Sequence, residues 1–203
     1  GRVAYDDSSH RNHALMTGCD RVTPAGEGWE YGRALEFGGA LEGDHLRVPS
    51  NPGLNTEGQV SVSALVKLSP SATGDMGGSG TRTLSVLNRN GELVQPAGFL
   101  HVYLEAGQVC YAFCESGASG VVRAFSDTVS WDDNRWYHIL VQHNQHGDEW
   151  VRFYRDGDLI GQQNVADMQP VTAGDMYIGA YMDAGSLDGF WEGRMDEVRY
   201  STF

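Results

Sequence analysis

Lysine is almost missing from this chain. Lys67 is the only one among 203 residues, and 14 basic residues in all face 27 acidic ones, for a formal charge of −13. A chain this acidic is repelled by a phosphate backbone, whose binding needs clustered Lys and Arg to displace counterions. Nucleic acid and anionic membranes are therefore excluded as expected partners. The acidic excess serves solubility and suits cations. Long apolar runs are missing too: no stretch reaches the roughly 18 residues that a membrane-spanning helix needs. No secretory leader is visible, and the Gly1-Arg2-Val3 start reads as an artificial or a mature boundary.

Cysteine is scarce. On a strand, Cys110 and Cys114 share a face about 13 Å apart, beyond what a disulfide tolerates. All three cysteines are expected to be free and partly buried, with a bridge from Cys19 as the alternative. Spacings that announce catalysis are also missing. A retaining glycosidase needs two carboxyls about 5 to 5.5 Å apart, yet no Glu-x-Asp-x-Glu run occurs. The acidic sets Asp132-Asp133, Asp148-Glu149 and Asp156/Asp158 fall at expected turns and face solvent. The seven histidines form no His-x-His pair, and His143 and His146 read as exposed. No nucleophile elbow supports a serine or cysteine enzyme. Repeats, heptads and linkers are absent, so residues 1–203 are expected to form one domain.

Glycine and aromatics are plentiful, with 27 Gly, 9 Tyr and 5 Trp, in short apolar runs between Gly, Asp and Asn clusters. This composition predicts many short strands and little helix. Alternation is clearest in Val60-Ser61-Val62-Ser63-Ala64-Leu65-Val66-Lys67-Leu68, a half-buried antiparallel strand. Residues 99–104 and 109–113 predict a hairpin around Glu105-Ala106-Gly107-Gln108. Residues 136–142 and 150–154 predict another around Gln145-His146-Gly147-Asp148. Asp156-Gly157 is the strongest turn signal, because a type I′ turn needs positive φ at both central residues. The stretches from Pro70 to Thr81 and from Tyr181 to Trp191 read as irregular loops.

Six segments stand in order along the chain: Tyr5-Asp6-Asp7-Ser8-Ser9-His10-Arg11-Asn12-His13-Ala14, Ala34-Leu35-Glu36-Phe37-Gly38-Gly39, the alternating run from Val60, Arg135-Trp136-Tyr137-His138, Phe153 to Ile160, and Gly193-Arg194-Met195-Asp196-Glu197-Val198-Arg199-Tyr200. Together they resemble the laminin-G-like, concanavalin A-like jelly-roll family of secreted bacterial and animal proteins. The resemblance implies an all-β fold, a two-sheet antiparallel β-sandwich, and an extracellular or cell-surface location. It also implies a calcium ion. Asp6 and Asp196 would supply carboxylate oxygens, and the Asn12 region and Gly39 main-chain carbonyls, an oxygen set of the kind calcium prefers. Asp7 is the alternative to Asp6. The family's glycine-asparagine repeat is replaced here by Ser9-His10-Arg11-Asn12, and Arg11 brings positive charge near the ion. The competing structural reading has Asp6 capping a turn and Asp196 pairing with Arg194 or Arg199.

The same fold hosts glycoside hydrolases and polysaccharide lyases, so it does not decide function. The Gln-x-His order of such lyases is missing around Gln142-His143. What remains is binding. Sugars are held by aromatic faces and by Asp, Asn, Gln or Arg side chains, and Tyr181, Asp183, Asp188, Phe190 and Trp191 supply that mixture in one stretch. Asn88, Arg89, Asn90 and Gln95 form a second candidate group, and Trp191 reads equally well as core. The sequence thus predicts a calcium-stabilised, non-catalytic module of a larger secreted or surface protein, binding a glycan or an extracellular protein. A polysaccharide-active enzyme and a structural or adhesin spacer are the rival readings.

Overall fold

A computed structural model describes residues 2–22, 34–56, 58–77, 83–90, 98–116, 120–133, 135–144, 149–165 and 167–202. Two large antiparallel sheets face each other. The eight-stranded sheet has the order β1 (Arg2–Ala4), β2 (Ala14–Thr17), β5 (His45–Val48), β14 (Met176–Ile178), β7 (Leu84–Arg89), β8 (Leu100–Glu105), β9 (Gln108–Cys114) and β10 (Val121–Phe125). The seven-stranded sheet runs β13 (Asp158–Asn164), β12 (Trp150–Arg155), β11 (Tyr137–Asn144), β6 (Gln59–Leu68), β17 (Glu192–Thr202), β4 (Ala34–Gly38) and β3 (Asp20–Val22). This is the expected jelly-roll sandwich.

β6 buries Val60, Val62, Ala64, Val66 and Leu68 and leaves the intervening residues half-exposed, as its alternation predicts. It sits between β11 and β17, so its inward residues form the middle of the shared core. Two of the predicted turns are present. Ala106 and Gly107 have φ of 48° and 81°, and Asp156 and Gly157 have φ of 53° and 90°, with Glu105 opposite Gln108 and Arg155 opposite Asp158.

Three expectations are corrected. Pro70–Gly77 is a helix, α1, rather than an irregular loop. Ser69 Oγ accepts from the Ala72 N–H at 3.2 Å, a serine cap followed by a proline whose missing N–H costs nothing in the first turn. The stretch after Tyr181 is a hairpin, with β15 (Tyr181–Asp183) paired to β16 (Ser186–Asp188). Its turn residues Ala184 and Gly185 have φ of 44° and 89°, the geometry of a two-residue hairpin loop without the usual Asn or Asp. His143 is 1% exposed rather than solvent-facing, because β11 continues past residue 142 and the inward series Tyr137, Ile139, Val141 reaches it. The turn at 145–148, with His146, lies outside the described residues, as does the end of the 70–81 stretch.

All three cysteines are free and buried. Cys19 belongs to the core between the sheets, while Cys110 and Cys114 pack with Phe99, Tyr103 and Ala112 in a second apolar cluster. Since Val109, Tyr111 and Phe113 are in the main core, β9 is buried on both faces.

Candidate functional site

The Asp6 carboxylate organises the loop between β1 and β2. Its Oδ1 accepts from the Ser8 N–H at 2.8 Å, and its Oδ2 from the Ser8 hydroxyl at 2.7 Å and the Asn12 N–H at 2.7 Å. Partial burial opposes ionisation, but these bonds and the His13 charge outweigh it and hold the carboxyl below its ordinary value. Asp6 therefore caps a turn. The Asn12 Oδ1 is buried without a hydrogen-bond partner. Asp7 is exposed in the same loop.

The other expected calcium ligands lie on other elements. The Gly39 carbonyl accepts from the Gly43 and Glu42 N–H groups at 3.0 and 3.3 Å. Asp196 lies in β17 opposite Leu65, in the other sheet from β1. Its Oδ1 accepts from the Glu197 N–H at 2.9 Å at a bulge where Glu197 has φ 48°. Neither neighbouring arginine pairs with it: Arg194 bonds Glu36 and Arg199 bonds Glu197. Among the described residues, no group of three or more His, Cys, Asp or Glu side chains gathers to hold a metal.

Sequence reasoning passed over Asp44. Its carboxylate is buried, and its Oδ2 accepts from the Gly38 N–H at 2.7 Å. Gly18, at φ +76°, makes room for it, since a Cβ there would lie 1.6 Å from the Asp44 Oδ1. The signal was the clustering of Gly38, Gly39 and Gly43 around one acid. Burial first, and then the Asp44 charge, push the neighbouring Cys19 thiol up to about 12. Burial does the same to Cys110, so neither thiol carries nucleophilic character at neutral pH.

The β15–β16 hairpin brings Tyr181, Asp183 and Asp188 together and leaves Trp191 out. It is seated on β7 and β8. The Met182 N–H donates to Asn88 Oδ1 at 3.3 Å, and the Tyr181 ring lies 4.7 Å from that of His101. His101 in turn lies 4.6 Å from Tyr103. Gly189 leaves space for the tyrosine, because a Cβ there would stand 2.5 Å from its ring. Beneath the hairpin, Ser85 Oγ donates to the Ala180 carbonyl at 2.9 Å and lies 3.1 Å from His101 Nε2. With its proton on Ala180, the serine accepts from the imidazole. The pair ties the hairpin to the sheet and does not activate a hydroxyl.

Asp183 is half-buried; Asp188 is exposed, with Oδ1 accepting from the Gly189 N–H at 2.7 Å. Trp191 is 0% exposed, a core residue and not a surface contact. The second candidate group is corrected as well: Asn88 and Arg89 are fully buried residues of β7, and Asn90 is bonded to the Gly98 carbonyl at 2.6 Å. Gln95 lies outside the described residues, as does Asp148. Asp156 is occupied by Arg135 Nη2 at 2.6 Å and the His138 N–H at 2.9 Å. Beside the hairpin, sequence reasoning missed Tyr177, which stands between Arg47 and Asn88 across the sheet. Arg47 Nε donates to Asp175 at 2.6 Å.

Two facing antiparallel sheets in these strand orders define a jelly-roll β-sandwich. The chain belongs to the concanavalin A-like lectin/glucanases superfamily, which matches residues 38–202. Gly39 and Asp196 fall inside that match, Asp6 and Asn12 before it. Among curated proteins, none matches the sequence. Among solved structures, the chain is similar to the CBM40 of the Ruminococcus gnavus IT-sialidase bound to alpha2,3 sialyllactose, at 12% identity and TM-score 0.55, over 71% of this chain and 76% of that one. It is similar to the binding domain of Paraclostridial Mosquitocidal Protein 1, at 12% identity and TM-score 0.65, over 97% of this chain and 45% of that one. The receptor binding domain of botulinum neurotoxin mosaic serotype C/D matches at 14% identity and TM-score 0.65, over 97% and 44%. The chain thus spans under half the length of these toxin domains, and at such identities the likeness shows the fold alone. No helix among the described residues is long and apolar enough to cross a membrane.

Proposed function

We propose that this chain is a non-catalytic binding module of a larger secreted or surface protein, and that its β15–β16 hairpin meets a glycan or an extracellular protein. The observation that carries this reading is the seating of the hairpin. Tyr181 on His101 and Met182 on Asn88 hold Asp183 and Asp188 in place before any ligand arrives, so little ordering entropy is lost on binding. Carboxylates then collect hydroxyl or amide donors beside an aromatic edge. The glycan-bound and receptor-binding neighbours favour the same reading.

Asp183→Ala tests it. A hydrogen bond to a charged group is worth about 1.5 to 3 kcal/mol, so affinity for the glycan or protein returned by an array screen should fall roughly ten- to a hundredfold, with the melting temperature nearly unchanged. Tyr181→Ala is a poorer probe, because it also removes the ring that lies tilted against His101. The screened glycans should be recovered uncleaved. Turnover that a single Asp, Glu, His or Tyr substitution abolishes would replace this reading with the enzyme one, and unchanged affinity in Asp183→Ala would remove the hairpin from it.

Calcium is the second part of the proposal, and it concerns stability. The buried, unpartnered Asn12 Oδ1 supports it. Asp6 Oδ1 and Asp196 Oδ2 keep lone pairs beyond the bonds described above, whereas the Gly39 carbonyl has both of its own engaged. Asp6 and Asn12, with Asp196, are the residues that would hold the ion; its chemistry there is charge neutralisation and cross-linking of the chain ends. Calcium at about 100 times its Kd should then add about 2.7 kcal/mol. Melting with chelator and with added calcium checks this, and an Asp196→Ala variant should lose the response. A parent transition that chelator leaves in place would mean that the loop is held by its own hydrogen bonds.

A further inference from the structure

Arg89 ends β7 with its side chain fully buried, 0% exposed. In a chain with 27 acidic residues, it has no acidic partner among the described residues. Its Nη2 donates to the Asn55 Oδ1 at 2.9 Å, while Nε and Nη1 have no hydrogen-bond partner. The neighbouring Tyr200 hydroxyl donates to the Leu54 carbonyl at 3.0 Å, so it offers this cation a neutral oxygen and no charge. Burial works against the guanidinium charge, and Tyr200 offsets this only in part. A guanidinium cannot shed its proton at any pH the fold survives, and an unpaired charge in an apolar interior is among the costliest arrangements a fold can hold. Carboxylates are abundant in this chain, yet none among the described residues pairs with it.

We propose that Nε and Nη1 of Arg89 anchor an internal site for a small monovalent anion of halide size. The two unpartnered nitrogens supply the donors, and the single positive charge sets the valence: a divalent oxyanion would leave a net negative charge among buried apolar side chains. Arg89 itself is fully buried, with Met176 and Leu100 flanking it in the sheet. The ion's role is structural.

The test uses the whole chain in sodium chloride or bromide against sodium gluconate at one ionic strength. The melting temperature should be higher by several degrees in the halides and should climb with the logarithm of halide concentration, whereas Arg89→Met, which keeps the side chain's length without its charge, should melt alike in all three. Bromide-soaked crystals should show an anomalous peak within about 3.5 Å of the guanidinium. Equal melting of the parent in all three salts, with no peak at Arg89, would overturn the proposal and leave buried water as the partner of those nitrogens. If Arg89→Met fails to fold, the bromide peak in the parent decides alone.

Discussion

Trp191→Ala is expected to cost about 3 to 5 kcal/mol, the range for removing a large aromatic side chain from a packed core. The indole is 0% exposed and belongs to the cluster shared by both sheets. The residue is also held by its backbone, its N–H donating to the Gly179 carbonyl at 2.7 Å. That strand-entry position is rigid, so the site cannot collapse around the cavity. Trp191→Phe separates packing from polarity. The indole Nε1 is buried without a partner, and phenylalanine keeps most of the contact area while removing a donor that gains nothing. Its cost should therefore be well under half that of alanine. Denaturant melts of the three proteins check this, and equal losses for Phe and Ala would mean that the indole N–H has a partner after all.

His143 should make the fold acid-sensitive in a window set by one imidazole. Burial lowers its pKa from 6.5 to about 4, an effect that the Asp167 charge offsets only in part. The ring lies 4.8 Å from Phe113 and 5.7 Å from Tyr111, and neither nitrogen has a hydrogen-bond partner. Its folded pKa is lower than its unfolded one, so between about pH 6.5 and pH 4 the unfolded chain takes up a proton that the native core refuses. Stability is then intact above that window and falls as the pH drops through it, by about 1.4 kcal/mol per unit and on the order of 3 kcal/mol in all. His143→Phe should flatten this dependence and at pH 7 be at least as stable as the parent, since it removes two unsatisfied buried nitrogens. Urea melts at pH 7 and pH 4.5 read the difference. Parallel pH profiles for the two proteins would show that the imidazole is hydrated or bonded in solution.

Most of the sandwich was legible where a strand has one wet face. β6 declared itself by strict alternation, and Asp156-Gly157 declared its turn because few residue pairs accept two positive φ values. The Ser69-Pro70 start of α1 was also readable, but it was masked by the glycines that follow. The β15–β16 hairpin lacked an Asn or Asp at its turn, and a lone Ala-Gly pair carries little signal. His143 was lost at a strand end: extending the inward series Tyr137, Ile139, Val141 by one step would have placed it in the core, but its polarity argued for solvent. Of the candidate ligand residues, Tyr181, Asp183 and Asp188 were foreseeable as neighbours because they are close in sequence.

By itself the sequence determined an all-β class, a strongly acidic balance and the turns at Ala106-Gly107 and Asp156-Gly157, all of which depend on local periodicity and composition. Tertiary structure alone decided that both faces of β9 are buried, that Trp191 and Arg89 are interior, that Asp196 lies in the sheet opposite the two strands whose connecting loop carries Asp6, and that Tyr177 stands between Arg47 and Asn88. The reason is geometric. A period of two tells which residues share a face of a strand, but which strands pair, and whether another layer covers that face, depends on contacts between residues far apart in the chain.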